Sequence, residues 1–386
     1  MRLQPFKLER HFAKYEFSAP YLLSCSDCEP LSLSELLAAA DPESRALWEG
    51  LRLGYTESQG LPVLRAEIGS LHTAIRAEDV LVTAPEEGIF IAINCLLEKG
   101  DHAVVPFPGY QSLSEVARAI GVEVSPWAPT ERSGWKFDVD EMKRLVLPST
   151  KLIVVNFPHN PTGATLDRRD FEAIVDFARQ REISVFSDEM YRFLEHDPAD
   201  RLPSACDLGE HAVSLFGMSK SFALAGLRIG WLTTRNKPLM QRMLAFKDYT
   251  TICASAPSEV LALMGLRARE RLLARNLGII DANLRLLDSF FSAHGSAMAW
   301  SRPRAGTIGF VRLLVEQPVG SFCQELIEEQ GVMLLPAKVF DYEGNYFRLG
   351  FGRRSLPDAL SRLEAFLEAK SSNPLSAVDF HRQTNP

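Results

Sequence analysis

The chain has 386 residues, 46% of them hydrophobic and 24% charged, with a formal net charge of −7 and a sequence pI of about 5.7. That composition is ordinary for a globular protein long enough for two domains. The mildly acidic balance speaks against nucleic-acid binding, which needs a clustered basic face, and no apolar run approaches the ~20 residues of a membrane span.

The N-terminus, MRLQPFKLERHFAKYEF, mixes charges throughout and lacks an apolar signal core, so the cytoplasm is the expected location. Of six cysteines only Cys25 and Cys28 lie close together. With no second pair or histidine at short spacing, they carry no metal signature. From residue 80 onward, short apolar runs alternate with helical stretches. Strands are expected at 80–84, 102–106, 122–127, 151–157, 183–189, 212–217 and 227–234. Helices are expected at 86–100, 110–121, 138–147 and 166–182, the first stopped by Gly100. Such alternation predicts an α/β fold with a doubly wound, mostly parallel sheet. A long helical stretch over 257–294 follows. Strands at 306–315, 332–336 and 346–352, with helices near 319–330 and 355–369, predict a smaller α+β domain. The expected division is an N-terminal segment (1–45) joining the small domain, a large domain (46–285) and a small C-terminal domain (286–386). The polar tail from residue 371 is expected to be loosely ordered.

In open α/β sheets, ligands bind beyond the carboxyl ends of the strands, and the chemically distinctive residues lie there. One strand runs into Asn156-Phe-Pro-His-Asn160-Pro161-Thr162-Gly163, and another into Asp188-Glu189-Met190-Tyr191. Two more run into Gly217-Met218-Ser219-Lys220 and into Pro108-Gly109-Tyr110. An amide, a carboxylate with a phenol, an amine and an aromatic ring thus converge. Each has a plainer reading alone: Asn160 as a turn former, Asp188 as a helix cap, Lys220 as a solvated lysine, Tyr110 as core filling.

Together, NFPHNPTG, SDEMYR, SKSFALAGLRIG and NYFRLGFGR resemble the fold-type I pyridoxal 5'-phosphate (PLP) enzymes of the class I/II aminotransferase family. The resemblance spans about residues 30–370, in the family's order and spacing. It implies PLP as cofactor, held as a Schiff base on Lys220. It implies Asp188 as partner of the pyridine nitrogen, and Asn160 and Tyr191 as ligands of the ring oxygen. Tyr110 would stack on the ring, and Ser219 and Arg228 would bind the phosphate. The backbone N–H of Glu86, at the start of a helix, would help them. Arg348 would clamp the substrate α-carboxylate, with Asn160 beside it. Tyr55 would reach the phosphate of a neighbouring subunit, which implies a homodimer with shared active sites. His159 reads as a packed neighbour of Asn160.

Two departures stand out. Where the family often has a Gly-small-polar run, this chain has Ala84-Pro85-Glu86-Glu87, and where many relatives carry Ser or Thr before the lysine it has Gly217. The carboxylate clamp favours breaking Cα–H, which leaves transamination, racemisation and β- or γ-elimination; transamination is the commonest activity among proteins of this kind, so the resemblance implies an aminotransferase acting on an L-amino acid and a 2-oxo acid. The alternatives are a PLP-dependent lyase of the carbon–sulfur β-lyase type, or a biosynthetic enzyme acting on a modified amino acid. A PLP-sensing regulator would need an added DNA-binding domain, and the roughly 30 residues before the resemblance are not strongly basic. Phe17, Tyr21 and residues 24–29 are the candidates for the substrate side-chain pocket, with an apolar or aromatic substrate expected.

Overall fold

A computed structural model describes residues 2–371; from residue 372 the polar tail lies outside the described residues. Seven strands form the large sheet: β1 (Val80–Thr83), β2 (His102–Pro106), β3 (Glu123–Trp127), β4 (Thr150–Asn156), β5 (Ser184–Asp188), β6 (Ala212–Gly217) and β7 (Gly230–Thr233). Their order is β1-β7-β6-β5-β4-β2-β3. Strands β2 to β6 pair in parallel, and β7 lies antiparallel between β1 and β6. The connection from β6 to β7 holds only a 3-10 turn, Ala225–Leu227, and no crossover helix, and β7 alone runs opposite to the other strands of the sheet.

The strands are apolar along their whole length because both faces are covered. On β4, Leu152 and Val154 enter one core layer with Ile89, Val116 and Met243. Ile153 and Val155 enter the other, with Phe171 and Ile174 of the helix Arg168–Gln180. Each such side chain stabilises the fold by roughly 1.5–3 kcal/mol when fully buried. The parallel register sets Asn156 beside Asp188, so two polar residues close adjacent strands on one edge of the sheet.

The smaller sheet is antiparallel: β8 (Met298–Trp300), β9 (Ile308–Leu313), β10 (Leu335–Pro336) and β11 (Tyr346–Gly350), in the order β10-β11-β9-β8. The strand expected over 332–336 is shorter because Val332 bridges Tyr21 instead, and Met333 N–H donates to the Tyr21 carbonyl at 2.9 Å. The long helical stretch is two helices, Ala256–Arg267 and Arg269–Ala293, broken at Ala268. The second helix crosses the expected boundary at 285. Its Leu272 packs in the large domain's core, and its Ile280, Leu284 and Leu287 pack in the small domain's. The 1–45 segment is likewise divided. Leu8, Phe12 and Leu23 pack with small-domain residues, whereas Leu36 packs with Leu64 and Leu263 of the large domain. Among the described residues, no helix is long and apolar enough to cross a membrane.

One buried ion pair ties a loop to the large domain. His72 Nδ1 lies 3.3 Å from an Asp207 carboxylate oxygen and 3.6 Å from Cys206 Sγ. Asp207 also accepts the backbone N–H groups of Thr73 and Ala74, at 3.0 and 2.8 Å. Burial opposes both charges, yet the carboxylate and sulfur hold the His72 imidazolium up to about 9, and Asp207 is held below its ordinary value. A histidine raised on folding contributes stability that is complete below ~6.5 and lost as pH rises through about 9. Thermal melts between these limits should show the wild type losing on the order of 2–3 kcal/mol more than His72→Gln. Equal losses in the two proteins would refute the pairing.

Candidate functional site

A cavity of about 440 Å³ lies between the carboxyl edge of the large sheet and β11. Strand alternation explains why Arg348 reaches it. Phe347 and Leu349 face the small-domain core, so Arg348 between them faces the other way. Glu86, Tyr110, Asn160, Asp188, Tyr191, Ser219, Lys220, Arg228 and Arg348 all border this space. Tyr55 does not: it is 92% exposed.

Asp188 ends β5, buried at 5% exposure, and its Oδ1 accepts the Met190 N–H at 3.2 Å. Burial pushes its carboxyl up to about 7 against the pull of that N–H, and the Glu86 and Glu189 carboxylates push the same way. Among the described residues it has no ion-pair partner. Asn156 braces it, donating from Nδ2 to the Asp188 carbonyl at 3.1 Å and accepting the Asn160 N–H at 3.0 Å. Asn160 Oδ1 in turn accepts from Arg348 Nη1 at 3.1 Å, while Arg348 Nη2 donates to the Ser24 carbonyl at 2.9 Å. A relay of short polar contacts therefore runs from the sheet edge to the small-domain arginine. Arg348 is only 1% exposed, burial works against its charge, and its Nε has no partner.

Lys220 Nζ donates to Ser26 Oγ at 2.9 Å. The Tyr191 hydroxyl and Ser219 Oγ are buried without a partner, an expensive state for a hydroxyl. Tyr110 packs its ring on Phe6, with centroids 5.2 Å apart, and burial with the adjacent Glu86 carboxylate lifts its phenol well above the ordinary range. Burial also raises the Glu86 carboxyl. Arg228 is exposed and adopts φ 52°, a left-handed conformation unusual for a side-chain-bearing residue.

The departure at 217 has a packing reason. A Cβ there would lie 2.8 Å from the Gly230 Cα and 3.0 Å from the Ile229 carbonyl oxygen, so the neighbouring backbone leaves no room for a side chain, whereas Pro85 Cγ stands at a contact distance of 3.4 Å. A Cβ at 230 would lie 2.7 Å from the Phe216 carbonyl oxygen and 3.0 Å from Pro85 Cγ.

Of the candidates for the side-chain pocket, Cys25, Ser26 and Asp27 line the cavity, whereas Phe17 is 94% exposed and Tyr21 is spent on the bridge to Val332. Sequence reasoning passed over Asn156, although it lies inside the motif that drew attention. It also passed over Glu9, Phe12 and Glu16, which line the cavity from the helix Lys7–Tyr15 and its C-terminal cap. The apolar pair Leu8 and Phe12, four residues apart, was the available signal. His159 is packed as expected: it is buried against Phe137, bonded to Thr162 Oγ1 at 2.8 Å, and pushed down to about 3 by burial.

Chemically, the cavity offers an acid without a cation, hydroxyls without partners, an amine and two guanidinium groups. Such donors suit a ligand that brings a basic nitrogen together with acidic oxygens.

The family model described as aminotransferase class I and II matches residues 24–360. The chain is 27% identical over 351 residues to capreomycidine synthase of Streptomyces vinaceus, covering 90% of this chain and 88% of that protein. Among solved structures, a PLP-dependent aminotransferase from Streptococcus suis is 31% identical with a TM-score of 0.89, covering 96% of this chain and 99% of that one. The PLP-dependent cyclase OrfR is 29% identical with a TM-score of 0.86, covering 96% and 98%.

A carboxyl raised on folding destabilises the protein increasingly as pH climbs from its unfolded value through about 7. Asp188→Asn should therefore stabilise the cofactor-free protein at about pH 8, by at most about 4 kcal/mol, and much less at about pH 4. Calorimetry at the two pH values checks this; equal effects at both would contradict the placement of a lone buried acid.

Proposed function

Because the chain belongs to the class I and II aminotransferase family, whose members depend on PLP, we propose that it moves an amino group between an L-amino acid and a 2-oxo acid, with Lys220 as the residue that carries the cofactor. The observation that supports this most is the convergence of Lys220, the lone acid Asp188 and the buried Arg348 on one cavity. The residues fit the cofactor. Asp188 lacks the cation that a protonated ring nitrogen provides, and Ser219 and Tyr191 hold buried hydroxyls in want of partners.

In this reading Asp188 holds the proton on the ring nitrogen. Ser219, Arg228 and the N–H of Glu86, in the first turn of the helix Pro85–Leu96, bind the phosphate. Asn160 and Tyr191 hydrogen-bond the ring oxygen, and Tyr110 lies against the ring face. Bound PLP supplies an electron sink for the charge left when a bond to the amino acid's α-carbon breaks. Arg348 grips the α-carboxylate with its planar fork, which Asn160 and the Ser24 carbonyl hold in place. The Lys220 amine takes the α-proton and returns one during the exchange. The N-terminal helix, with Leu8 and Phe12 on the cavity, keeps water from the reacting atoms. Tyr55, exposed on one subunit, serves the phosphate site of a second copy, which makes the protein a homodimer with shared sites.

A second reading, a PLP-dependent biosynthetic enzyme acting on a modified amino acid, draws support from the likeness to capreomycidine synthase and to the cyclase OrfR.

Two measurements test the proposal. Purified holoenzyme given an amino acid should form product amino acid only when a 2-oxo acid acceptor is present; turnover without an acceptor would replace transamination with the second reading. Lys220→Ala should abolish borohydride trapping of the cofactor and cut the rate at least about 100-fold. A trapped adduct on that variant would show that another lysine carries it.

A further inference from the structure

The cavity carries more carboxylates than the proposed chemistry uses. Asp188 is matched by the ring nitrogen, and Asp27 is gripped by Arg353, whose Nη2 lies 2.9 Å from each of its oxygens. The Glu86 carboxyl lies against the Tyr110 phenol. Glu9 and Glu16 remain. Both line the cavity, and neither has an ion pair or a side-chain hydrogen bond among the described residues.

Their placement is regular. Positions 9, 12 and 16 fall on one helical face, so the two carboxylates flank the Phe12 ring. That ring stands 5.8 Å from the Arg348 guanidinium, and Leu8 and Ile89 add apolar wall nearby. Moving away from Arg348, a ligand would therefore meet first an apolar surface and then negative charge. The carboxylates also repel one another. Burial raises the Glu16 carboxyl, with Asp27 and Glu9 adding to it, and Glu9 adds to the rise at Glu86. An entering cation would relieve these repulsions together.

A second feature marks the same space as built for a ligand. Arg348, only 1% exposed, keeps its Nε buried on the cavity wall without a partner, whereas the buried Tyr191 and Ser219 hydroxyls are taken up by the cofactor in that reading. The cations bordering the cavity are Lys220, Arg228 and Arg348, and each already has a duty in the proposed reaction. Among the described residues of one copy, an acidic substrate side chain would find no free cation there.

We propose that Glu9 and Glu16 select amino acids whose side chain ends in a cation, a guanidinium or an ammonium group on an aliphatic stem. The α-carboxylate lies on Arg348, the stem runs over Phe12 and Leu8, and the head sits between the two carboxylates. The selection rests on the reading of this cavity as an amino-acid site, and it differs from the expectation of an apolar or aromatic substrate.

The test titrates holoenzyme with arginine, its neutral isostere citrulline, norleucine and aspartate. Kd is read from the cofactor absorbance, and kcat/KM is measured in parallel. Arginine should be preferred to citrulline by at least about 10-fold in both, and the preference should shrink as salt rises. In the double variant Glu9→Gln, Glu16→Gln the ratio should fall to about 3-fold or less. A loss of fold would weaken both ligands alike, so the ratio separates recognition from damage. Amino acids that bind without preference for the cation, or a ratio unchanged in the variant, would overturn the selection while leaving the amino-acid site standing. No spectral response to any amino acid would overturn both.

Discussion

A carboxylate buried without a counter-ion is costly, and this protein keeps one at the end of β5. Asp188 has its backbone fixed by the central parallel sheet, so the side chain cannot retreat to water. Burial holds its carboxyl near 7 instead of in the ordinary acid range. The surroundings keep this strained arrangement in place. Asn156 ties the strand end down, and Asn160 and Arg348 extend the same hydrogen-bonded relay to the second domain. A ligand that brings a cation to Asp188 would remove the penalty; under the proposed function, cofactor affinity and cofactor protonation would then come from the same interaction.

The relay also explains why the site lies between two domains. Asp188 ends a strand of the large sheet, Lys220 follows the end of β6, and Arg348 belongs to the small sheet. Arg348 is held by one oxygen from each side, Asn160 Oδ1 and the Ser24 carbonyl. The N-terminal segment then covers the gap, running from the helix Lys7–Tyr15 through Tyr21 to Ser26, which meets Lys220. One short stretch of chain thus joins the small sheet, walls the cavity and presents Glu9 and Glu16 to it. Its composition can set substrate choice without disturbing the chemistry beneath.

Much of this was legible in the sequence, for identifiable reasons. The central strands are continuous apolar runs because both faces are buried, and the polar residues that interrupt them fall at carboxyl ends, where ligands bind. Position 348 was legible only through the motif NYFRLGFGR, and the alternation along β11 explains why it faces the cavity. The reversal of β7 was not, because strand direction depends on the path of the connection rather than on the residues within the strand. The helix Lys7–Tyr15 was hidden by its many charges, and only Leu8 and Phe12 betray its buried face. Signals for later helices went unused. Ser32 and Glu35 cap each other at the start of Leu33–Ala39, and Asp41 with Pro42 opens the next helix. The need for glycine at 217 could not be seen in one dimension, since it arises where the end of β6 meets the start of β7.

The measurement that bears most directly on the lone acid is difference infrared spectroscopy of the carboxyl band that disappears in Asp188→Asn. At about pH 6 the cofactor-free protein should show that carboxyl neutral, and addition of PLP should convert it to carboxylate as the ring nitrogen takes the proton. A carboxyl already ionised at that pH in the free protein, or one still neutral with the cofactor bound, would contradict the account.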